Sequence, residues 1–128
     1  MLHLNRNLIE NISDSNICFR IQKLEEIDLS YNKINYIDKN AFKFCKQLKA
    51  LNLDSNQLDT KTLNQSALFQ YTTSLEELNL NQNNLDNFFN EKCFFPLKNL
   101  KKLTLLNNRI ENFDEYNLRR KLPYLEIY

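Results

Sequence analysis

Residues Leu24 to Ile34 fit the template L-x-x-L-x-L-x-x-N-x-L. The template returns at Leu48–Leu58, Leu75–Leu85 and Leu100–Ile110, and a shortened copy opens the chain at Leu2, Leu4, Asn7 and Ile9. Its asparagines fall at positions 7, 32, 56, 83 and 108, with spacings of 25, 24, 27 and 25 residues. A period of this size means stacked coils, because one unit cannot bury its apolar face without its neighbours. Inside each copy the x-L-x-L-x alternation has a period of two, so the leucines point one way and the intervening residues the other. Strands of successive coils then pair as a parallel sheet at about 4.8 Å spacing, roughly 24 Å across for the array.

The repeats are taken as 1–23, 24–47, 48–74, 75–99 and 100–124, with a partial repeat at 125–128, in one domain spanning 1–128. The second is the most regular. After Asn32 it places Ile34, Ile37, Ala41, Phe42 and Cys45 before Leu48. The pattern resembles the leucine-rich repeat family, in its typical 24-residue subclass, which is common in secreted proteins, receptor ectodomains and insect immune proteins. That resemblance implies an α/β, right-handed horseshoe solenoid with a parallel sheet on the concave face and loops or short helices on the convex face. It also implies that Asn7, Asn32, Asn56, Asn83 and Asn108 form a buried ladder bonded to backbone groups of their own and adjacent coils. On the convex side a helix is expected within 60–71, with Leu63, Ala67 and Leu68 inward, and another near 114–121, with acid first and base last. Phe88, Phe94 and Leu97 are expected to line the back of the fourth coil.

Composition narrows the function. Glycine is absent, so neither a P-loop nor a dinucleotide fingerprint can exist. Asparagine takes over part of the turn chemistry, because it tolerates the left-handed region. Net charge is +1, which favours neither nucleic acid nor a membrane surface. No apolar run approaches the roughly 18 residues of a membrane span. The pattern starts at Met1 without a basic and an apolar leader region, so an intracellular chain, a mature chain or a partial one is expected. Leu122 to Tyr128 resembles the opening of a further repeat, and neither end looks like a polar cap.

Recognition is expected on the outward strand positions, where members of the resembled family most often bind. The candidates are Glu26, Asp28, Ser30, Tyr31, Asn52, Asp54, Glu77, Asn79, Asn81, Lys102 and Thr104. Glu26, Asp28, Asp54 and Glu77 form an acidic strip, and Tyr31 is the aromatic of the kind that anchors protein interfaces.

Other candidates carry less. Cys18, Cys45 and Cys93 form no C-x-x-C pair, so no metal site is expected, and their odd number excludes a complete disulfide set. They are read as small buried hydrophobes. Asn11 and Asn64 begin N-x-S triplets, although with this much asparagine chance supplies about two such triplets. His3 is the sole histidine, and no second residue marks it for catalysis. The basic runs at Lys101-Lys102 and Arg119–Lys121 are short and flanked by acids, which does not make a nucleic-acid stripe. The reading is a non-catalytic protein-recognition module without a cofactor, extracellular or part of a receptor ectodomain, of innate-immune or adhesion type. The alternatives are a cytoplasmic scaffold similar to those of phosphatase regulators or ribonucleoproteins, and a fragment of a longer protein.

Overall fold

Each copy of the template becomes one short strand followed by a sharp turn. The computed structural model describes residues 1–13, 17–65 and 68–128. In chain order the strands are β1 (Leu2–His3), β2 (Asn11–Ile12), β3 (Glu26–Asp28), β4 (Tyr36–Ile37), β5 (Ala50–Asn52), β6 (Glu77–Asn79), β7 (Lys102–Thr104) and β8 (Glu126–Ile127). Six of them form one parallel sheet in the order β1-β3-β5-β6-β7-β8, and β2 pairs with β4 in a second, two-stranded sheet. The register stacks Leu2, Ile27, Leu51, Leu78, Leu103 and Ile127 in one column. The four central members of that column are at most 2% exposed. The column and its neighbours Leu29, Leu53 and Leu80 are the strand side of a core that continues through Ile34, Phe42, Leu58 and Leu63, and fully burying such a side chain contributes about 1.5–3 kcal/mol.

The turn after each strand needs a left-handed residue just before the template asparagine. Arg6, Tyr31, Ser55, Gln82 and Asn107 fill that place, with φ between 52° and 58°. A chain without glycine meets this need with residues that carry a Cβ, at a cost of order 1 kcal/mol each. Only one of the five is asparagine, so asparagine supplies less of the turn chemistry than expected, and the template asparagine has another task.

That task is to bond backbone. Asn56 donates from Nδ2 to the carbonyls of Leu29, Leu53 and Asp54 at 3.0, 3.1 and 3.3 Å, and its Oδ1 accepts the Ile34 amide at 3.0 Å. Asn83 repeats the pattern on Leu53, Leu80 and Asn81, accepting from Leu58, and Asn32 on Leu4, Leu29 and Ser30, accepting from Ile9. Asn108 ties Leu80 and Leu85 of the coil before it. Each asparagine therefore reaches backward by one coil. Asn7 departs from the expected burial: it is exposed and, among the described residues, its side chain bonds the carbonyls of Leu4 and Asn5 in its own coil.

The convex side is less regular. The third coil's helix α1 covers Thr60–Asn64, capped by Asp59, whose side chain accepts from the Thr62 amide. It lies within the span where a helix is expected. Leu63 and Leu68 are buried, whereas Ala67 lies outside the described residues. A 3-10 turn spans Glu91–Phe94, and helix α2 spans Glu115–Lys121 with Asp114 as its cap. Phe69, Phe94, Phe89 and Phe113 pack in that order as a string of rings 5.5–6.3 Å apart. Here Phe88 corrects the sequence reading: it is 85% exposed, and Phe89 points inward instead. The cause is Asp86, which accepts the Phe88 amide at 3.0 Å and the Thr60 hydroxyl at 2.8 Å, while its own amide donates back to Thr60. This turn rotates the chain by one residue.

Replacing Asn56 by leucine should cost on the order of 1–3 kcal/mol in urea unfolding, since it leaves buried backbone groups unpaired. Asn7→Leu should cost little, and equal losses at the two sites would contradict the ladder. The Phe88 amide, then the Thr60 hydroxyl, holds the Asp86 carboxyl below its ordinary value. Its contribution is present above the ordinary carboxylate range and is lost as pH falls through the lowered value. Acid should therefore lower the unfolding midpoint less in Asp86→Asn than in the native chain, and parallel acid limbs would remove Asp86 from the account.

Candidate functional site

The outward strand positions form three rows across the sheet. In the first, Glu26, Ala50, Glu77, Lys102 and Glu126 are successive Cα partners. In the second, His3, Asp28, Asn52, Asn79 and Thr104 are successive partners. Ser30, Asp54, Asn81 and Leu106 follow two residues on from the second row. The rows differ in how much of their chemistry is free.

The first row is engaged at its C-terminal end, where Glu126 accepts the Tyr128 hydroxyl at 2.7 Å and the Lys102 ammonium lies 6.0 Å from the Tyr128 ring centre. Glu26, Glu77 and Lys102 are exposed. The second row is partly consumed by the backbone. Asp28, Asn52 and Asn79 each accept, through Oδ1, the amide two residues ahead, at 3.0, 3.1 and 3.0 Å. These are Asx turns, which shape the chain as it leaves the strand. The signal was in the sequence, as Asp or Asn at one template place in three coils, but it reads equally well as surface polarity. Ser30 corrects the expected face: it is 4% exposed, and its hydroxyl donates to Asp28 at 2.6 Å. Thr104 is also buried and donates to Asn79 at 2.9 Å. Asn81 Oδ1 accepts the Leu106 amide at 2.7 Å. Asp54 is half-buried beside the Ser55 hydroxyl. Tyr31 is 46% exposed, with the Arg6 guanidinium 4.7 Å from its ring centre. That stacking holds the ring without covering it.

Beside the first row runs a ladder that sequence reasoning missed. Glu25 pairs with Lys49 at 2.9 Å, and Glu76 with Lys101 at 2.7 Å. The hydrogen bond and charge of Glu25 raise the Lys49 ammonium above its ordinary value, and the bond from Lys101 lowers the Glu76 carboxyl. Alternate signs on successive coils spend those charges within the array.

The hollow over the rows is open and measures about 290 Å³. His3 lies in register with Asp28. The Ser30 hydroxyl donates to that carboxylate directly, so the imidazole does not stand between them as a general base would. No group of three or more metal-ligating side chains occurs among the described residues. Asn11 sits exposed on β2, and Asn64 closes α1, while Ser66 of its triplet lies outside the described residues.

The cysteines overturn one expectation. Cys18 and Cys45 are joined in a disulfide with Cα atoms 5.1 Å apart. They are not unpaired hydrophobes. The bond clamps the first coil to the second on the convex side, where Phe19 and Phe44 stack edge to face at 5.0 Å. Closing a loop with a sequence separation of 27 residues is worth about 3–4 kcal/mol in the chain-entropy account. Cys93 is free, and burial, then the Glu91 charge, pushes its thiol well above the ordinary value. Denatured, unreduced protein should therefore give one thiol per chain by colorimetric titration and three after reduction. Three thiols before reduction would contradict the pairing.

Known proteins share this arrangement. The family described as leucine rich repeat matches residues 1–58. CD180 antigen of Mus musculus is 33% identical over 98% of this chain, and the chain spans 19% of its length. Among solved structures, the TLR13–ssRNA13 complex superposes with a TM-score of 0.81 at 28% identity, over 98% of this chain and 17% of that one. The APL1 leucine-rich repeat domain does so with a TM-score of 0.81 at 25% identity, over 98% of this chain and 31% of that one.

Proposed function

The chain belongs to the leucine-rich repeat family, and from that premise we propose that it is a non-catalytic protein-recognition segment. Its binding surface is the concave sheet face. The observation that carries this reading is the division of labour on the strands. Scaffold residues repeat in every coil, while Glu26, half-buried Ala50, Glu77 and Lys102 form one row in which neither glutamate makes a side-chain hydrogen bond or ion pair among the described residues, and the Lys102 ammonium lies 6.0 Å from the Tyr128 ring centre. Asp28, Asp54 and Tyr31 extend that surface, with the aromatic ring as its anchor.

The protein of origin is extracellular or a receptor ectodomain, of innate-immune or adhesion type. The Cys18–Cys45 disulfide supports this, because such bonds persist in oxidising compartments and are rare in the cytosol. Similarity to CD180 antigen and APL1 supports it too. No helix among the described residues is long and apolar enough to cross a membrane. TLR13 was solved with single-stranded RNA, but here the face carries Glu26, Asp28, Asp54 and Glu77 against Lys102. That charge disfavours a polyanion.

The test is affinity capture with mass spectrometry, followed by alanine substitution against the captured partner. Tyr31→Ala and Glu77→Ala should weaken binding, with the tyrosine costing about 1–2 kcal/mol. Tyr116→Ala, an exposed residue on α2, should leave it unchanged. The opposite ranking would move the site to the convex side. A pair of reduced cysteines in protein isolated from its source would favour a cytoplasmic scaffold.

A further inference from the structure

The two N-x-S triplets are equal as sequence, but the fold treats their asparagines differently. Asn64 is engaged on both atoms of its amide. Its Nδ2 donates to the Phe88 carbonyl at 2.8 Å, and its Oδ1 accepts the Asn90 amide at 3.0 Å. Gripping an acceptor and a donor two residues apart uses one edge of the carboxamide, the edge carrying Oδ1 and the hydrogen on the same side. A glycosylated asparagine is a secondary amide. Like a peptide bond it prefers the trans form, which puts the sugar carbon at that same hydrogen position. A glycan at Asn64 therefore displaces the clamp between the third and fourth coils.

Asn11 stands in the opposite situation. It lies on β2 with an exposed side chain, while Ile12 beside it turns inward at 6% exposure. Ser13 of the triplet is exposed as well. The backbone of the stretch is anchored without the asparagine side chain: the carbonyls of Ile9, Glu10 and Ile12 accept the amides of Lys33, Asn35 and Asp38. The neighbouring residue in register is Tyr36, itself 41% exposed, so a first sugar at Asn11 has an aromatic ring one strand away.

We propose that Asn11 is an N-glycosylation site of this protein and that Asn64 is not. The reaction takes an oligosaccharide carried on a polyprenyl diphosphate. Nδ2 of Asn11 bonds to C1 of the sugar as the C1–O bond breaks, the diphosphate leaves with the electron pair, and one Nδ2 proton passes to a base. The proposal rests on the extracellular reading, since this chemistry belongs to the secretory route.

The experiment sends the full chain through the secretory pathway of a eukaryotic cell behind a fused signal peptide. The secreted protein is deglycosylated in heavy-oxygen water and mapped by peptide mass spectrometry. The label should fall on Asn11 in most molecules and be absent from Asn64. Asn11→Gln, a change at an exposed side chain, should be secreted without any glycan. Label on Asn64, or a secreted chain bare at Asn11, would overturn the proposal. Delivery is forced in this test, so its failure is distinct from an error about the native compartment, which the thiol count of protein from its source reads separately.

Discussion

A buried carboxamide that bonds backbone groups of two coils is the interaction on which this solenoid depends. Asn32, Asn56 and Asn83 are each 6–8% exposed. At that depth an unpaired amide costs about as much as a lost hydrogen bond, and none is unpaired: no buried side-chain nitrogen or oxygen lacks a partner among the described residues. Donors go to the asparagine's own turn and to the strand end of the coil before, and the acceptor takes an amide from the same earlier coil. Each rung therefore completes the backbone of its predecessor. Stability becomes a chain of nearest-neighbour terms, as expected for repeat arrays.

The rung also frees the rest of the turn. With the asparagine fixing the loop, the residue before it can sit in the left-handed region without being glycine, and five different side chains do so. Tyr31 is one of them, and its ring reaches the surface as a result. An exposed aromatic ring is thus presented by a turn whose geometry is secured by its neighbour. The same economy appears on the strands. Asp28, Asn52 and Asn79 shape the exit of their strands, Ser30 and Thr104 serve two of those oxygens, and Glu26 and Glu77 of the first row stay exposed.

What could be read from the sequence was what every coil repeats. The core column, the asparagine ladder and the outward rows recur at fixed places in the template, so one coil predicts the next. What could not be read depends on contacts between unlike places. Cys18 follows Asn7 by 11 residues and Cys45 follows Asn32 by 13, so counting along the repeat does not bring them together; the differing paths of two convex segments do. Phe88 stands five residues after Asn83, as Ile37 does after Asn32. Repeat arithmetic therefore pointed Phe88 inward, and the Thr60–Asp86 turn shifted the burial to Phe89. Ser30 looked like a surface residue because alternation describes direction only. Its hydroxyl instead finds a partner two residues back, in the carboxylate of Asp28.

Residue-resolved hydrogen exchange on the native chain tests the central claim most directly. The amides of Ile34 and Leu58 belong to no strand, and each donates to a ladder asparagine, Asn56 or Asn83. They should be protected as strongly as the amides of the central strands β5 and β6, and more strongly than the Ile9 amide in the first coil. If Ile34 and Leu58 exchange at the rate of an unstructured chain while the strands stay protected, the asparagine ladder does not hold the coils together.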